Sequence, residues 1–268
     1  MNSNTSVQDN STLEDLRKEA REYFKQCKFL KALELFEEIL KNNQHSPDDQ
    51  TSASTWNLSR EGGKALADAL CKNFTLTSLD IENNNLGSEG GKVLANAICK
   101  NSTLTYLNIS VNELGPEGGK AFANALCKNS ILTFLKLSWN NLKFGGKALA
   151  NALCKNSTLT TLNISSNELG LEGGRALSNA LCNNFALTTL NYESNDLGSE
   201  GGKAFANALC KNSMLKDLNL SWNKLGSEGG KALANALNKN STLTILYLYE
   251  NNIGFELESN NPNLVICQ

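Results

Sequence analysis

The sequence predicts an α/β solenoid bent into a horseshoe, with a parallel sheet on the concave face, helices on the convex face and a short α-helical hairpin before them. Three observations predict this fold. A segment of about 28 residues recurs along most of the chain. The first half of each copy alternates apolar and polar residues, as a strand does, and the second half has apolar residues at helical spacing.

The period of the repeat is read from one leucine in each copy. Successive leucines are 28 residues apart except for one step of 27, and they are Leu76, Leu104, Leu132, Leu159, Leu187, Leu215 and Leu243. The missing residue falls just after Leu142, where LKFGGKALA replaces the usual LGSEGGKAL. A period of this length is typical of a solenoid, in which each unit buries its apolar face against its neighbours.

Each copy contains one strand and one helix. In LTYLNISVNELG, Leu107 and Ile109 alternate with polar residues, which predicts a short half-buried strand. In EGGKAFANALCKN, Phe122, Ala125 and Leu126 form a helical stripe. Parallel strands lie about 4.8 Å apart and packed helices about 8–10 Å apart, so the stack bends with the sheet inside. The Gly-Gly pair that opens each helix predicts close helix packing rather than a phosphate loop, whose spacing it lacks.

The repeated Leu-x-x-Leu-x-Leu/Ile-x-x-Asn-x-Leu pattern resembles the leucine-rich repeat, specifically the 28-residue type of ribonuclease inhibitor, NOD-like receptor sensor regions and Ran GTPase-activating protein. The predicted repeat domain spans 56–254: seven repeats after a degenerate half-repeat that begins at Trp56. The resemblance implies a structural ladder of asparagines at the strand exits. These are Asn84, Asn112, Asn140, Asn167, Asn195, Asn223 and Asn251.

The concave face is the predicted partner-binding surface, because solenoid function resides where surface residues differ between repeats. Large aromatic side chains interrupt small polar ones there, and exposed aromatics are typical of interface hot spots. For Trp139 and Trp222 an alternative to partner binding stays open, in which each covers the loop of its own repeat and makes no external contact. The candidate binding residues are Tyr106, Phe134, Lys136, Trp139, Trp222, Tyr247 and Tyr249.

The two ends of the chain depart from the repeat. We expect residues 1–12 to be disordered, 13–42 to form a helical hairpin that resembles one tetratricopeptide motif, and 43–55 to be a polar linker. The hairpin caps the solenoid, packs on a partner or forms half of an oligomeric unit. Residues 255–268 are a C-terminal cap or tail; Leu264 to Cys267 either add an edge strand or belong to a chain that is cut there.

Charge and composition exclude several classes of function. The chain has 27 acidic and 25 basic residues and a net charge of −2, and its recurring basic column lies three residues after an acidic one. We therefore expect no nucleic-acid partner, and the short apolar runs predict no membrane partner. The sole histidine, His45, lies in the polar linker, and six of the eight cysteines mark one repeat position. No catalytic residue, metal or cofactor is predicted.

The sequence thus predicts a non-enzymatic scaffold that binds a protein partner on the concave sheet. The alternative is a regulator of a small GTPase or a module related to NOD-like receptor sensing, which rests on the resemblance alone. The polar N-terminus, MNSNTSVQDN, lacks the apolar segment of a secretory signal. We expect a monomeric, cytoplasmic protein.

Overall fold

The computed structural model describes residues 15, 16, 18–20, 22, 23, 26, 28, 30–32, 34, 35, 51, 52 and 58–268. Within these residues one sheet of nine parallel strands follows chain order from β1 to β9. The strands are β1 Thr51–Ser52, β2 Ser78–Asp80, β3 Tyr106–Asn108, β4 Phe134–Lys136, β5 Thr161–Asn163, β6 Thr189–Asn191, β7 Asp217–Asn219, β8 Ile245–Tyr247 and β9 Val265–Cys267. The predicted α/β solenoid is confirmed.

Seven helices alternate with strands in the described residues from 58 onward. They are α1 Ser59–Leu70, α2 Gly87–Ile98, α3 Gly115–Leu126, α4 Gly145–Leu153, α5 Gly170–Leu181, α6 Gly198–Leu209 and α7 Gly226–Leu237. Strand pairing keeps one register, so that Leu107 faces Leu135 and Tyr106 faces Phe134. Equivalent residues of all repeats therefore align in rows across the solenoid.

The core lies between the sheet and the helices. The central leucine of each inner strand, such as Leu107, is buried, and so are the predicted helix residues Phe122, Ala125 and Leu126. One core position differs from the others: Tyr192 replaces the usual leucine or isoleucine, and its hydroxyl donates to the Gly170 carbonyl at 3.2 Å. Burial raises the pKa of Tyr192, which keeps the phenol neutral.

The one-residue deletion shortens a helix rather than a strand. Helix α4 has 9 residues, whereas the other six have 12. The pairing of β4 with β5 keeps its register across the deletion. The loss is therefore absorbed on the convex side, where the first helical turn can be omitted without disturbing the sheet.

The glycine pairs allow neighbouring helices to approach closely, as predicted. A Cβ atom added to Gly145 would lie 2.8 Å from the Pro116 carbonyl oxygen and 3.4 Å from the Cα atom of Gly119. Both contacts are with backbone atoms, which cannot rotate away as a side chain can. The spacing of α3 and α4 thus depends on the missing side chain.

We expect Gly145→Ala to lower the free energy of unfolding by about 1–3 kcal/mol, because the added methyl group forces α3 and α4 apart. Urea denaturation followed by circular dichroism measures the change. Asn151→Ala, at an exposed position of the same helix, is the matched control and should shift the free energy by less than about 0.5 kcal/mol. Equal stabilities of the two variants would contradict the close-packing role.

The sheet includes two residues that precede the predicted repeat domain. Thr51 and Ser52 pair with Leu79 and Asp80, so these two residues of the predicted 43–55 linker belong to the sheet. The rest of that linker lies outside the described residues, and the start of the repeat domain at residue 56 stays a prediction. The edge of a sheet exposes unpaired backbone N–H and C=O groups, and a short added strand forms hydrogen bonds with them. Because such a strand can be polar, its sequence need not show the apolar alternation from which strands are predicted.

The predicted hairpin is described only in part, and residues 1–12 lie outside the described residues. Helical residues are found between 15 and 23 and between 30 and 35, and Ala20 and Ala32 are fully buried. Lys28, Leu30 and Lys31 line a groove together with Ala65 and Asp68 of α1 and its neighbours. This places the second helical segment beside α1; its capping role and its likeness to a tetratricopeptide motif stay predictions.

The C-terminal residues form the last strand of the sheet, β9. Strand β9 pairs with β8 through Val265, Ile266 and Cys267, as expected for an edge strand at Leu264 to Cys267. The Gln268 side chain accepts a hydrogen bond from the Leu257 backbone N–H at 3.0 Å. Across the described part of the chain, no helix is both long and apolar enough to span a membrane.

Candidate functional site

The predicted asparagine ladder lies where each strand ends. Asn140 is fully buried, and its Oδ1 accepts the backbone N–H of Asn112 at 2.9 Å and of Leu114 at 3.4 Å. Its Nδ2 donates to the carbonyls of Ile109, Leu137 and Ser138 at 2.9, 3.0 and 3.2 Å. Each ladder amide thus joins its own turn to the preceding repeat and satisfies buried backbone groups.

The residue before each ladder asparagine has a left-handed backbone. Trp139 and Trp222 have φ angles of 57° and 59°, which are uncommon for residues other than glycine. Their backbone N–H groups donate to the Ser165 and Tyr249 carbonyls, at 3.1 and 2.8 Å, so this conformation extends the sheet by one more bond. Their side chains are 66% and 55% exposed. The structure therefore places both tryptophans at the surface.

A second asparagine ladder, which the sequence-based prediction does not include, lies in the loops that lead from each helix to the next strand. From Asn101 onward the Nδ2 atoms donate to carbonyls of the preceding repeat, and throughout the row the Oδ1 atoms accept backbone N–H groups of their own loop. For Asn156 the partners are Leu126, Asn129, Thr158 and Leu159. The members are Asn73, Asn101, Asn129, Asn156, Asn184, Asn212 and Asn240. The signal was present in the sequence, as an invariant asparagine at one repeat position.

The candidate binding residues divide into two groups on the concave face. In the first group, the rings of Tyr106 and Phe134 stack with centroids 4.6 Å apart and planes inclined by 24°. The Lys136 ammonium lies 5.7 Å from the Phe134 ring centroid. Trp139 follows the end of strand β4, which contains Phe134 and Lys136. This aromatic pair is partly buried and has its rings already aligned.

Acidic side chains lie next to the first group. The Asn108 Nδ2 atom donates to Asp80 Oδ2 at 3.0 Å and to Glu82 Oε2 at 2.9 Å, which holds both carboxylates on the concave surface. Burial raises the pKa of Tyr106, and the negative charges of Asp80 and Glu82 raise it further. The aromatic pair therefore has a negative electrostatic environment on one side.

The second group lies near the C-terminal end of the sheet. The rings of Tyr247 and Tyr249 are 6.4 Å apart, and Trp222 precedes the ladder asparagine of the neighbouring repeat. Glu193 accepts a hydrogen bond from Asn219 Nδ2 at 3.0 Å, as Glu82 does from Asn108. Burial also raises the pKa of Asp217 on this face. On both parts of the concave face, an asparagine of the next repeat thus orients a glutamate carboxylate.

Acidity is the property of this surface that the sequence analysis did not use. The predicted binding residues are aromatic apart from Lys136 and do not include Asp80, Glu82, Glu193 or Asp217. Summing charge over the outward strand positions would have found them, since only Lys136 opposes them in the same columns. Among the described residues there is no group of three or more His, Cys, Asp or Glu that could hold a metal ion.

Comparisons with known proteins agree with this architecture. A family model for the leucine-rich repeat matches residues 72–95, 100–123, 155–178, 183–206 and 211–234. Together with the parallel sheet and the ladder, these matches define the class: the repeats are leucine-rich repeats, and the fold is a leucine-rich repeat solenoid. A search of curated proteins found no match.

Among the solved structures that match, LegL7 shows the same fold. The leucine-rich repeat-containing protein LegL7 from Legionella pneumophila is 24% identical, with a TM-score of 0.54, over 81% of this chain and 71% of its own. The tropomodulin C-terminal domain from Caenorhabditis elegans is 16% identical over 48% of this chain and 80% of its own, with a TM-score of 0.45. Leiomodin-1 actin-binding site 2 is 17% identical over 65% and 86%, with a TM-score of 0.42.

Proposed function

We propose that this protein is a non-enzymatic scaffold that binds a protein partner on the concave face of its sheet. The observation that carries the proposal is the stacked Tyr106–Phe134 pair, which is only half-buried by the described residues. Aromatic side chains at the centre of an interface supply much of its binding energy. Because the two rings are already aligned, less conformational entropy is lost when a partner covers them.

The charge of the concave face favours a partner segment with lysine or arginine side chains. Such a side chain can lie over the aromatic ring and donate to a nearby carboxylate. Glu82 acts on Tyr106 of the first aromatic group, and Glu193 is held on the concave face by Asn219, the strand neighbour of Tyr247. Four strand steps separate the repeats of the two glutamates, which corresponds to about 19 Å along the sheet. We therefore expect an extended epitope with basic residues at two separated positions.

The test compares capture of partners by the wild type and by a variant with Tyr106→Ala, Phe134→Ala, Trp139→Ala and Trp222→Ala. We expect the variant to lose the captured partner and to bind it at least about a hundredfold more weakly after isolation, because several anchors of about 2 kcal/mol or more are removed. Affinity is measured by titration calorimetry. Circular dichroism establishes that the variant is folded.

A matched control removes aromatic rings outside the concave face. Phe144 and Phe185 are 58% and 73% exposed, on the helix side and in a helix-to-strand loop. Phe144→Ala with Phe185→Ala should leave the affinity unchanged within about twofold. Equal capture by the wild type and the concave variant would refute binding on this face. Regulation of a small GTPase, NOD-like sensing and a cytoplasmic location stay sequence-based predictions.

A further inference from the structure

A second row of lysines lies on the loops that lead from each helix to the next strand. All six members are exposed: Lys72, Lys100, Lys128, Lys155, Lys211 and Lys239. Only the loop after α5 lacks a lysine, with Asn183 in its place. We call this row the lysine edge. Positive charge at a helix C-terminus suits the helix dipole, which explains why lysine is tolerated there but not why the row is left unneutralised.

The lysine edge differs from the basic column on the helices in its charge balance. In that column Lys92, Lys120 and Lys203 each form an ion pair with the glutamate three residues earlier, at 2.7 Å. The pairing also lowers the pKa of Glu89, first through the hydrogen bond from Lys92. No lysine of the edge forms an ion pair with any residue that the structure describes. The edge therefore presents net positive charge.

The repeat geometry gathers these charges on one side of the solenoid. Because the strands pair without a register shift, equivalent loops align along one edge of the sheet. Lys211 and Lys239, from adjacent repeats, line the same groove. At the other end Lys72 lines a groove with Lys28 and Lys31, where Asp68 is the acidic residue. The basic lysine edge and the acidic concave face are separate surfaces. Their charges nearly cancel in the net charge of the chain, which is −2.

Two phenylalanines lie along the same side of the solenoid: Phe74 shares its loop with Lys72, and Phe185 lies on the loop without a lysine, between the loops of Lys155 and Lys211. Phe74 and Phe185 follow the second-ladder asparagines and are 67% and 73% exposed. The other five repeats have serine at this position: Ser102, Ser130, Ser157, Ser213 and Ser241. An exposed aromatic ring beside unpaired lysines is the combination that inserts into an anionic lipid surface while the amines contact headgroups.

We propose that the lysine edge docks this protein on a membrane surface that contains anionic phospholipid, with Phe74 and Phe185 inserted among the headgroups. A lipid surface fits better than a nucleic acid for two reasons. The lysines repeat at the helix spacing of about 8–10 Å, which a fluid lipid layer can match at any point. The phenylalanines are four repeats apart, too far to form a platform for stacked bases. The proposal departs from the sequence-based expectation of no membrane partner, which rested on the balanced net charge of the whole chain and on the lack of a long apolar run.

The experiment measures sedimentation of the full chain with vesicles of phosphatidylcholine alone and of phosphatidylcholine mixed with phosphatidylserine. We expect binding only to the mixed vesicles, and weaker binding as salt is added. Lys100→Gln, Lys128→Gln and Lys155→Gln should together lower the partition coefficient at least about tenfold. Phe74→Ser with Phe185→Ser, which restores the residue of the other repeats, should lower it with little change in salt dependence.

The matched control is Lys92→Gln, Lys120→Gln and Lys203→Gln, which removes the same charge from the paired column and should change partitioning less than about twofold. Thermal unfolding establishes that every variant is folded. An equal loss in the control would overturn the assignment to the lysine edge. Failure of the wild type to bind mixed vesicles, including the case in which it binds a single-stranded oligonucleotide instead, would overturn the membrane proposal. Neither result bears on the concave face.

Discussion

Asn140→Ala is expected to lower the free energy of unfolding by about 3–5 kcal/mol. The substitution removes an amide that is fully buried and bonded on both sides. It leaves the backbone N–H groups of Asn112 and Leu114 without their acceptor, and the carbonyl of Ile109 without one of its donors. An unpaired buried polar group costs about 1–3 kcal/mol, and alanine supplies no replacement.

Urea denaturation followed by circular dichroism measures this effect. The control is Asn124→Ala, at an exposed position on α3, where alanine is the better helix former and stability should stay the same or rise slightly. Since solenoid repeats contact only their neighbours, a smaller denaturant dependence in the Asn140 variant would indicate that unfolding starts at this repeat. A loss below about 1 kcal/mol would contradict the ladder's role in stability.

Asn156→Ala is expected to lower the free energy of unfolding by about 2–4 kcal/mol, although its Asn-Ser-Thr context resembles a surface glycosylation site. The side chain is 6% exposed. It accepts from the Leu159 N–H at 2.8 Å and donates to the Leu126 and Asn129 carbonyls at 2.9 and 3.1 Å. Removing it leaves groups unpaired in two repeats.

The neighbouring residue provides the control for this second ladder. Ser157 is exposed and differs from Asn156 by one position in the same loop, so Ser157→Ala should change stability by less than about 0.5 kcal/mol. Both variants are compared by urea denaturation under the same conditions. If the Asn156 variant were as stable as the Ser157 variant, the second ladder would have no stabilising function.

The two ladders and the two lysine rows illustrate one property of repeat proteins. A residue that recurs in every copy has the same partners each time, so its energetic role is repeated and its side chain forms a row. The asparagine rows are buried and hold the two edges of the sheet. The lysine rows are exposed, and the difference between them is the presence of glutamate three residues before one row and not the other.

The sequence alone determined the architecture. The 28-residue period, the alternation of Leu107 with Ile109 and the stripe of Phe122, Ala125 and Leu126 predicted strand, helix and curvature, because these patterns are local and recur in every copy. The asparagines at the strand exits followed from the family resemblance. Glycine pairs were assigned to close packing, and the structure gives them that role through the contact of Gly145 with the backbone of α3.

Only the tertiary structure decided which side chains meet. Thr51 and Ser52 form a strand because an open sheet edge needs a hydrogen-bonding partner, a requirement that leaves no apolar pattern. The stacking of Tyr106 on Phe134, the hydrogen bonds of Asn108 with Asp80 and Glu82, and the Asn156 bonds to the preceding repeat all join residues 25 or more positions apart. Local propensity carries no information about such pairs, because the distance between their side chains exists only once the repeats have stacked.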